Sequence, residues 1–262
     1  MTVKQAQKGA AGTGSGNAKM PPSTQVNAQA ASGAGTLPPL SPLDVARYID
    51  HTMLQPGAIT AAFDQLCDEA LKYRFFAVCV NSCRVEYVAK RLQGSGIKVS
   101  SVVGFPLGAM MSSAKAFEAR EVVSHGASEI DMVINVGFLK SKDYQAVEDD
   151  ILNVRRSTRA DTVLKVIIET ALLTQEEKVI ACELSMKAGA DFVKTCTGFG
   201  GGGATVEDVA LMRKVVGKNL GVKASTGVRT YSGALAMIGA GATRLGCGSS
   251  VAIVTAGQGQ NP

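Results

Sequence analysis

Three lysines lie inside short apolar runs whose residues are typical of buried β-strands. These are Lys165 within residues 163–168, Lys194 within residues 191–196 and Lys223 within residues 221–225. Transfer of an ammonium group out of water costs several kcal/mol unless the group is paired or loses its proton. Burial and a second nearby cation both favour the neutral amine, which is the form that attacks a carbonyl carbon. The three lysines therefore indicate Schiff-base chemistry.

A simpler interpretation is that these lysines are structural. A lysine in a strand can lie at a sheet edge, or extend its ammonium group to the rim and pair with a carboxylate. Three lysines in successive strands, together with Asp131 within the apolar residues 129–134, favour a shared site over three unrelated ion pairs.

Short apolar runs alternate with amphipathic stretches along most of the chain. The runs predict β-strands at residues 48–53, 76–80, 98–105, 129–135, 163–168, 191–196, 221–225 and 243–247. The stretches between them predict helices at 60–74, 82–94, 113–125, 141–159, 174–188, 205–217, 230–240 and a short one from 249. Eight β-then-α units predict an α/β fold, the (β/α)8 TIM barrel. A doubly wound sheet is the alternative, but it would place a glycine-rich phosphate loop where residues 53–56 read Met-Leu-Gln-Pro.

The active site of such a barrel forms at the C-terminal ends of its strands, and residues two apart in a strand face the same side. Lys194 and Lys223 on neighbouring strands are then expected within several ångströms of each other. Strand 5 would bring Lys165 and Glu169 alongside, and Asp131 would face them from strand 4. We therefore predict a central site in the mouth of the barrel.

Residues 1–40 differ in composition from the rest of the 262-residue chain. They are rich in Gly, Ala, Ser, Gln, Asn and Pro, and they hold three lysines but no acidic residue, arginine or aromatic residue. Such a segment buries too little apolar surface to offset its ordering entropy. We therefore predict a disordered tail at 1–40, without the apolar core of a secretory signal, and one barrel domain at 41–262.

Charge and hydropathy argue against two classes of partner. The chain has a net charge of +5, and without the three lysines of the tail the excess of basic over acidic side chains is only two. This excess is too small to predict nucleic-acid binding. The chain holds no apolar run of the length that spans a membrane, so no membrane partner is predicted.

Six cysteines and two histidines limit the metal and redox chemistry of the chain. No two of these cysteines form a C-x-x-C pair. We therefore predict no metal site, and reduced thiols of the kind found in a cytoplasmic protein.

Eight segments, in the same order along the chain, carry a resemblance to one enzyme family. They are residues 48–54, 76–81, 103–109, 129–137, 164–170, 190–200, 221–225 and 227–230. With them the chain resembles the deoxyribose-phosphate aldolase family from about Leu43 to Val254. The resemblance implies a class I aldolase of deoxyribonucleotide catabolism on a (β/α)8 barrel. Such an enzyme cleaves 2-deoxy-D-ribose 5-phosphate reversibly to D-glyceraldehyde 3-phosphate and acetaldehyde, without metal or organic cofactor.

The resemblance also implies roles for individual residues. Lys194 matches the lysine that forms the Schiff base, and Lys223 matches the second lysine, whose charge keeps that amine neutral. Asp131 matches the aspartate that relays protons through a water. Three further positions line the same pocket: Asp50, Thr52 and Lys165. For Asp50, a carboxylate in a strand-end turn is the alternative.

Three glycine-containing segments, 198–204, 227–230 and 246–250, follow the last three predicted strands, where barrel enzymes commonly hold phosphate. The resemblance assigns phosphate contacts to Gly198, Gly227, Val228, Arg229, Gly246 and Ser249. Two positions depart from the family: Thr226 replaces a usual glycine, and Gly248 replaces a common hydroxyl residue. A β-branched residue disfavours backbone conformations that glycine allows, so weaker phosphate binding is expected.

Two alternatives to the aldolase stay open, the first because of the two departures and the second because the lysines alone permit it. One is a catalytically weak, aldolase-like binding protein that uses the N-terminal tail as its interaction segment. The other is a related Schiff-base lyase acting on a different phosphosugar. The expected partners are small phosphosugar and aldehyde substrates and further copies of the chain, in a dimer or a tetramer.

Overall fold

Eight parallel strands form a closed barrel in the computed structural model, which describes residues 40–256. Each strand pairs with the next one in sequence, and β8 pairs with β1 to close the sheet. This closure confirms the predicted (β/α)8 barrel and excludes the doubly wound sheet. Apart from Leu40, the tail predicted to be disordered at 1–40 lies outside the described residues.

Every strand lies within its predicted range. The strands are β1 (Ile49–Met53), β2 (Ala77–Val80), β3 (Lys98–Val103), β4 (Glu129–Val133), β5 (Val163–Ile167), β6 (Phe192–Lys194), β7 (Gly221–Ser225) and β8 (Arg244–Cys247). The largest difference is in β6, which has three residues where six were predicted. Beyond Lys194 the side chain of Thr195 bonds to the backbone of Ser225 on β7, so the chain stays extended there without regular strand pairing.

Helices follow the strands on the outside of the barrel. They are α1 (Pro42–Val45), α2 (Thr60–Tyr73), α3 (Val85–Arg91), α4 (Ser112–Ser124), α5 (Val136–Lys140), α6 (Tyr144–Arg156), α7 (Gln175–Lys187), α8 (Val206–Val216), α9 (Tyr231–Gly239) and α10 (Ser250–Val254). Short 3-10 turns occupy Ala46–Tyr48, Ser82–Arg84 and Thr170–Leu172. Within residues 40–256, no helix is both long enough and apolar enough to cross a membrane.

Two short helices, α1 and α5, were not predicted. The side chain of Ser41 caps α1, and the side chain of Asn135 caps α5 by accepting a bond from the Phe138 amide. The helix predicted at 141–159 begins later, at Tyr144, because Lys142 has a positive φ of 61° and separates α5 from α6. Local capping bonds stabilise these turns, and hydrophobic periodicity does not reveal them.

Alternation along the strands separates an apolar outer layer from a polar interior. On β7, Val222 and Ala224 join the core between strands and helices, whereas Lys223 lies between them on the other face. On β1, His51 faces outward and bonds to Glu69 of α2 and to Ser250 of α10. Its neighbour Asp50 therefore faces the barrel interior.

Aromatic rings close the N-terminal end of the barrel. The guanidinium of Arg244 lies 3.8 Å from the centre of the Phe76 ring and 5.8 Å from that of Phe192. Gly221 leaves the space that the Phe192 ring fills, because a Cβ added there would lie 2.1 Å from Cε1 of that ring. The residue that begins β7 is therefore small for a steric reason.

We predict that Gly221→Ala lowers the free energy of unfolding by about 1–3 kcal/mol, the usual cost of overpacking a tight site. Gly239→Ala at the end of α9 is the matched control, because an added Cβ there meets no atom within 4 Å. Urea titration of both variants is the measurement. Equal effects at the two positions would contradict the steric role of Gly221.

Candidate active site

Seven charged side chains face the interior of the barrel, and none is more than 5% exposed. They are Asp50 of β1, Glu129 and Asp131 of β4, Lys165 of β5, Lys194 of β6, Lys223 of β7 and Arg244 of β8. Strand register places them at matching levels: Asp131 pairs with Lys165, and Lys194 pairs with Lys223. All three lysines noted in the sequence therefore share one site.

The Asp131 carboxylate lies at the centre of this cluster. Its Oδ2 accepts hydrogen bonds from Lys194 at 2.8 Å and from Lys223 at 2.7 Å. Its Oδ1 accepts from Lys165 at 2.8 Å and from the hydroxyl of Ser100 at 3.1 Å. Burial by itself raises the pKa of Asp131, but the three ammonium groups outweigh it and hold that pKa well below its usual value. Asp131 is therefore ionised.

Lys223 bridges two carboxylates. Its Nζ donates to Asp131 and to Oδ2 of Asp50. Burial lowers the pKa of Lys223, but these two anions outweigh burial and raise it above the ordinary lysine value. Burial likewise raises the pKa of Asp50, but Lys223 and Arg244 lower it to about 2. Asp50 is thus an ionised member of the cluster rather than a carboxylate in a strand-end turn.

Lys165 lies one level deeper in the barrel. Its Nζ contacts Glu129 at 2.6 Å and Asp131 at 2.8 Å. Burial lowers the pKa of Lys165, but the two carboxylates outweigh burial and raise it. Lys165 and Lys223 therefore remain ammonium ions at neutral pH.

Lys194 differs from the other two lysines. It is 3% exposed, whereas Lys165 and Lys223 are fully buried, and Asp131 is its one ion-pair partner within residues 40–256. It stands two residues further along its strand than the level of Lys165, because Lys165 pairs with Phe192 and Ile167 pairs with Lys194. Its amine is therefore placed towards the mouth of the barrel.

Two members of the cluster, Glu129 and Arg244, were not predicted as site residues. Glu129 stands two residues before Asp131, so alternation alone could have placed it on the inner face. Arg244 is a charged residue in a strand, which is the signal that identified the lysines. Arg244 donates four hydrogen bonds to the carboxylates of Asp50 and Glu129. These bonds could not be predicted from the sequence, because the two partners stand 194 and 115 residues away.

Two predicted neighbours of the cluster do not join it. The hydroxyl of Thr52 donates to the backbone carbonyl of Asp50, two residues before it in the same strand, and to no charged side chain. Glu169 follows β5 with a positive φ of 56°, and its carboxylate accepts hydrogen bonds from the amide and the hydroxyl of Thr197. This turn directs Glu169 to the loop after β6 instead of towards Lys165.

The six predicted phosphate residues lie in two different environments. Gly198 and Gly227 are in the loops after β6 and β7 with φ of 91° and 88°, Arg229 is exposed, and Ser249 is exposed just before α10. Val228 is buried in the outer core, so only its backbone is available there. Gly246 lies inside β8, not in a loop.

Gly246 has a packing role. A Cβ added to Gly246 would lie 2.8 Å from Cβ of Ser225 and 3.2 Å from Cε of Lys223. Gly246 therefore leaves space for the Lys223 side chain, and a phosphate contact through its backbone stays a prediction.

Thr226 adopts the backbone conformation that its family position suggested. Its φ is 72°, in the left-handed region where a β-branched residue is strained by about 1–3 kcal/mol. Its Oγ1 lies 2.8 Å from where a Cβ on Gly198 would be, and its carbonyl accepts from the amide of Ala204. The loops after β6 and β7 therefore meet at this residue.

Cys79 of β2 lies in the interior with Leu54 and Val102. Burial raises the pKa of its thiol, so the side chain is neutral at pH 7 and acts as a small apolar group.

Within residues 40–256, no group of three or more His, Cys, Asp or Glu residues is arranged to hold a metal ion.

Comparison with known proteins identifies relatives along most of the chain. The model of the DeoC/LacD family of aldolases matches residues 45–252. Over 213 residues the chain is 55% identical to the deoxyribose-phosphate aldolase of Brevibacillus brevis, and this aligned region covers 81% of this chain and 96% of that protein.

Two solved structures show the same architecture. A candidate deoxyribose-phosphate aldolase from Coccidioides immitis has a TM-score of 0.81 and 42% identity, over 84% of this chain and 87% of that one. The tetrameric deoxyribose-phosphate aldolase of Aeropyrum pernix has a TM-score of 0.78 and 31% identity, over 84% and 94% of the two chains.

Proposed function

The chain belongs to the DeoC/LacD family of aldolases, and we propose that its Schiff base forms on Lys194. Its activity is that of a deoxyribose-phosphate aldolase, a carbon–carbon lyase that cleaves 2-deoxy-D-ribose 5-phosphate reversibly to D-glyceraldehyde 3-phosphate and acetaldehyde. One observation carries the assignment to Lys194: among the three interior lysines it alone is paired with a single carboxylate and stands towards the mouth.

Formation of the imine needs a neutral amine and a path to the substrate. Lys223 is held as an ammonium ion by Asp50 and Asp131, and Lys165 is held by Glu129 and Asp131. Neither has a lone pair to offer. Lys194 shares its one carboxylate oxygen with Lys223, so a second cation lies directly beside its amine.

Asp131 is proposed as the proton relay. The Lys194 amine adds to the sugar aldehyde, and loss of water from the carbinolamine gives a protonated imine. The C2–C3 bond then breaks, its electron pair moves into the imine, and the C3 hydroxyl loses its proton as glyceraldehyde 3-phosphate leaves. Protonation of the enamine and hydrolysis release acetaldehyde and the amine. Because Asp131 is held ionised, we expect it to pass protons to and from the substrate through a water and not to keep a proton itself.

Phosphate is proposed to bind at the loops that follow β6, β7 and β8. The backbone amides at Gly198 and Gly227 and the exposed Arg229 guanidinium supply donors and positive charge. Ser249 adds a hydroxyl before α10. Thr226 stands between the first two loops, where its side chain takes space that glycine would leave free.

A homo-oligomer, a dimer or a tetramer, is proposed as the working form. The Aeropyrum pernix relative is tetrameric. Large apolar side chains are also exposed around the start of α4, with Leu107 at 78%, Met111 at 75% and Phe117 at 55%.

A cytoplasmic location is proposed because all six cysteines are free thiols.

We predict that reduction with borohydride in the presence of acetaldehyde adds the mass of an ethyl group to Lys194. Peptide mass spectrometry is the measurement, and the peptides that hold Lys165 and Lys223 are the internal controls. Both controls should stay unmodified because their ammonium groups are paired twice. A label on either of them instead would overturn the assignment.

Lys223→Leu is expected to abolish turnover and to lower the free energy of unfolding by about 3–5 kcal/mol, because Asp50 and Asp131 are left facing each other. Lys115→Leu is the matched control, because Lys115 is equally buried and pairs with Asp150 between α4 and α6. It should lose comparable stability and keep its turnover. If Lys223→Leu kept near-native turnover at neutral pH, Lys223 would not be the charge that favours the neutral amine.

Thr226→Gly is expected to lower KM for 2-deoxyribose 5-phosphate and to leave KM for 2-deoxyribose almost unchanged, because only the loop conformation changes. Gly248→Ser should act in the same direction by about 1 kcal/mol, the usual worth of one hydrogen bond. A Cβ at position 248 lies 3.7 Å from the nearest atom, so the substitution fits. The measurement is steady-state kinetics with both sugars. Equal changes in KM for the two sugars would mean that phosphate binds elsewhere.

A further inference from the structure

Six of the seven interior charges form a closed ring in which cations and anions alternate. The order around the ring is Arg244, Asp50, Lys223, Asp131, Lys165, Glu129 and back to Arg244. Every member contacts both of its neighbours. Lys194 lies outside the ring and is attached to it through Asp131.

Arg244 closes the ring. Its Nε donates to Asp50 Oδ1 at 2.9 Å, and its Nη2 donates to Glu129 Oε2 at 2.8 Å. The rings of Phe76 and Phe192 flank its guanidinium. A guanidinium does not lose its proton in proteins, so its charge is permanent.

The ring has no net charge. Its three cations, Arg244, Lys223 and Lys165, balance its three anions, Asp50, Asp131 and Glu129. A protonated Lys194 therefore gives the ring and its attached lysine together one surplus positive charge. An unbalanced charge out of water is costly, and loss of the Lys194 proton removes it.

Among the described residues, no other side chain of the interior makes an ion pair with the ring. β2 contributes Cys79, whose thiol is neutral because burial raises its pKa. β3 contributes Ser100, which does not titrate. Beyond the strand ends, Cys196 bonds to the hydroxyl of Thr170, and Glu169 bonds to Thr197.

We propose that Arg244 and Glu129 are positioning residues of the aldolase. They complete the neutral ring and thereby make the proton of Lys194 the one that is lost. The proposal rests on the proposed function, since it takes Lys194 as the nucleophile. Neither residue touches the substrate, because both lie at the first position of a strand, at the end of the barrel away from the mouth.

The charge balance predicts that substitutions of Arg244 and of Glu129 shift the pH at which Lys194 loses its proton in opposite directions. Arg244→Met removes a cation, so the ring becomes negative and stabilises the Lys194 ammonium, and the free amine appears at higher pH. Glu129→Gln removes an anion, so the ring becomes positive and the free amine appears at lower pH. The double variant restores a neutral ring. A role in packing alone predicts no such pair of opposite shifts.

The test measures the yield of ethyl-Lys194 after cyanoborohydride trapping with acetaldehyde as a function of pH. The midpoint is expected to move up by about one unit in Arg244→Met and down by a similar amount in Glu129→Gln. The double variant should return to within a few tenths of a unit of the parent protein. The acidic limb of kcat/KM should move with the trapping midpoint.

Two further variants separate charge from folding. Arg244→Lys keeps the charge and loses the planar fork, so its midpoint should stay near that of the parent even if it is less stable. Lys178→Met paired with Asp208→Asn removes a buried ion pair between α7 and α8, and it should leave the midpoint unchanged. Thermal melts identify any variant that does not fold. If Arg244→Met does not fold, the trapping midpoints of Arg244→Lys and Glu129→Gln decide the test.

The outcomes distinguish this inference from the proposed function. If the parent protein gave no label on Lys194 at any pH, the assignment of the nucleophile would fail. If Lys194 were labelled but the two single variants shifted in the same direction, or not at all, only the positioning role of the ring would be overturned.

Discussion

The Asp131 carboxylate and its three ammonium neighbours are the interaction on which the site depends. A carboxylate without water is stable only when cations and hydrogen-bond donors surround it, and three lysines from three strands provide them here. Because each lysine also has to be paired, the interior requires Asp50 and Glu129 as well. Catalytic chemistry and internal charge balance are thus one arrangement.

The barrel makes this arrangement possible by register. Parallel strands align Lys194 with Lys223 and Asp131 with Lys165, so charges spread along the chain meet within two adjacent layers. Closure of the sheet between β8 and β1 brings Arg244 to Asp50 across 194 residues. An open sheet would leave these two residues at opposite edges, and the ring of charges would not close.

The two ends of the barrel have different physical characters. At the N-terminal end, Arg244 is held between aromatic rings and two carboxylates, which leaves little freedom of movement. At the C-terminal end, loops with positive φ at Gly198 and Gly227 surround the mouth, and Thr226 is strained between them. The ring of charges is therefore kept apart from the loops at which we propose that phosphate binds.

The sequence by itself determined the eight strands, the barrel class and the grouping of Lys194, Lys223 and Asp131 in one site, because apolar runs and the period-two alternation along a strand are local patterns. The tertiary structure alone decided which charge pairs with which. Strand pairing and barrel closure join Arg244 to Asp50 and Glu129, and Glu169 lies outside the cluster because its backbone turns at a positive φ. These contacts join residues far apart in the chain, so no local pattern records them.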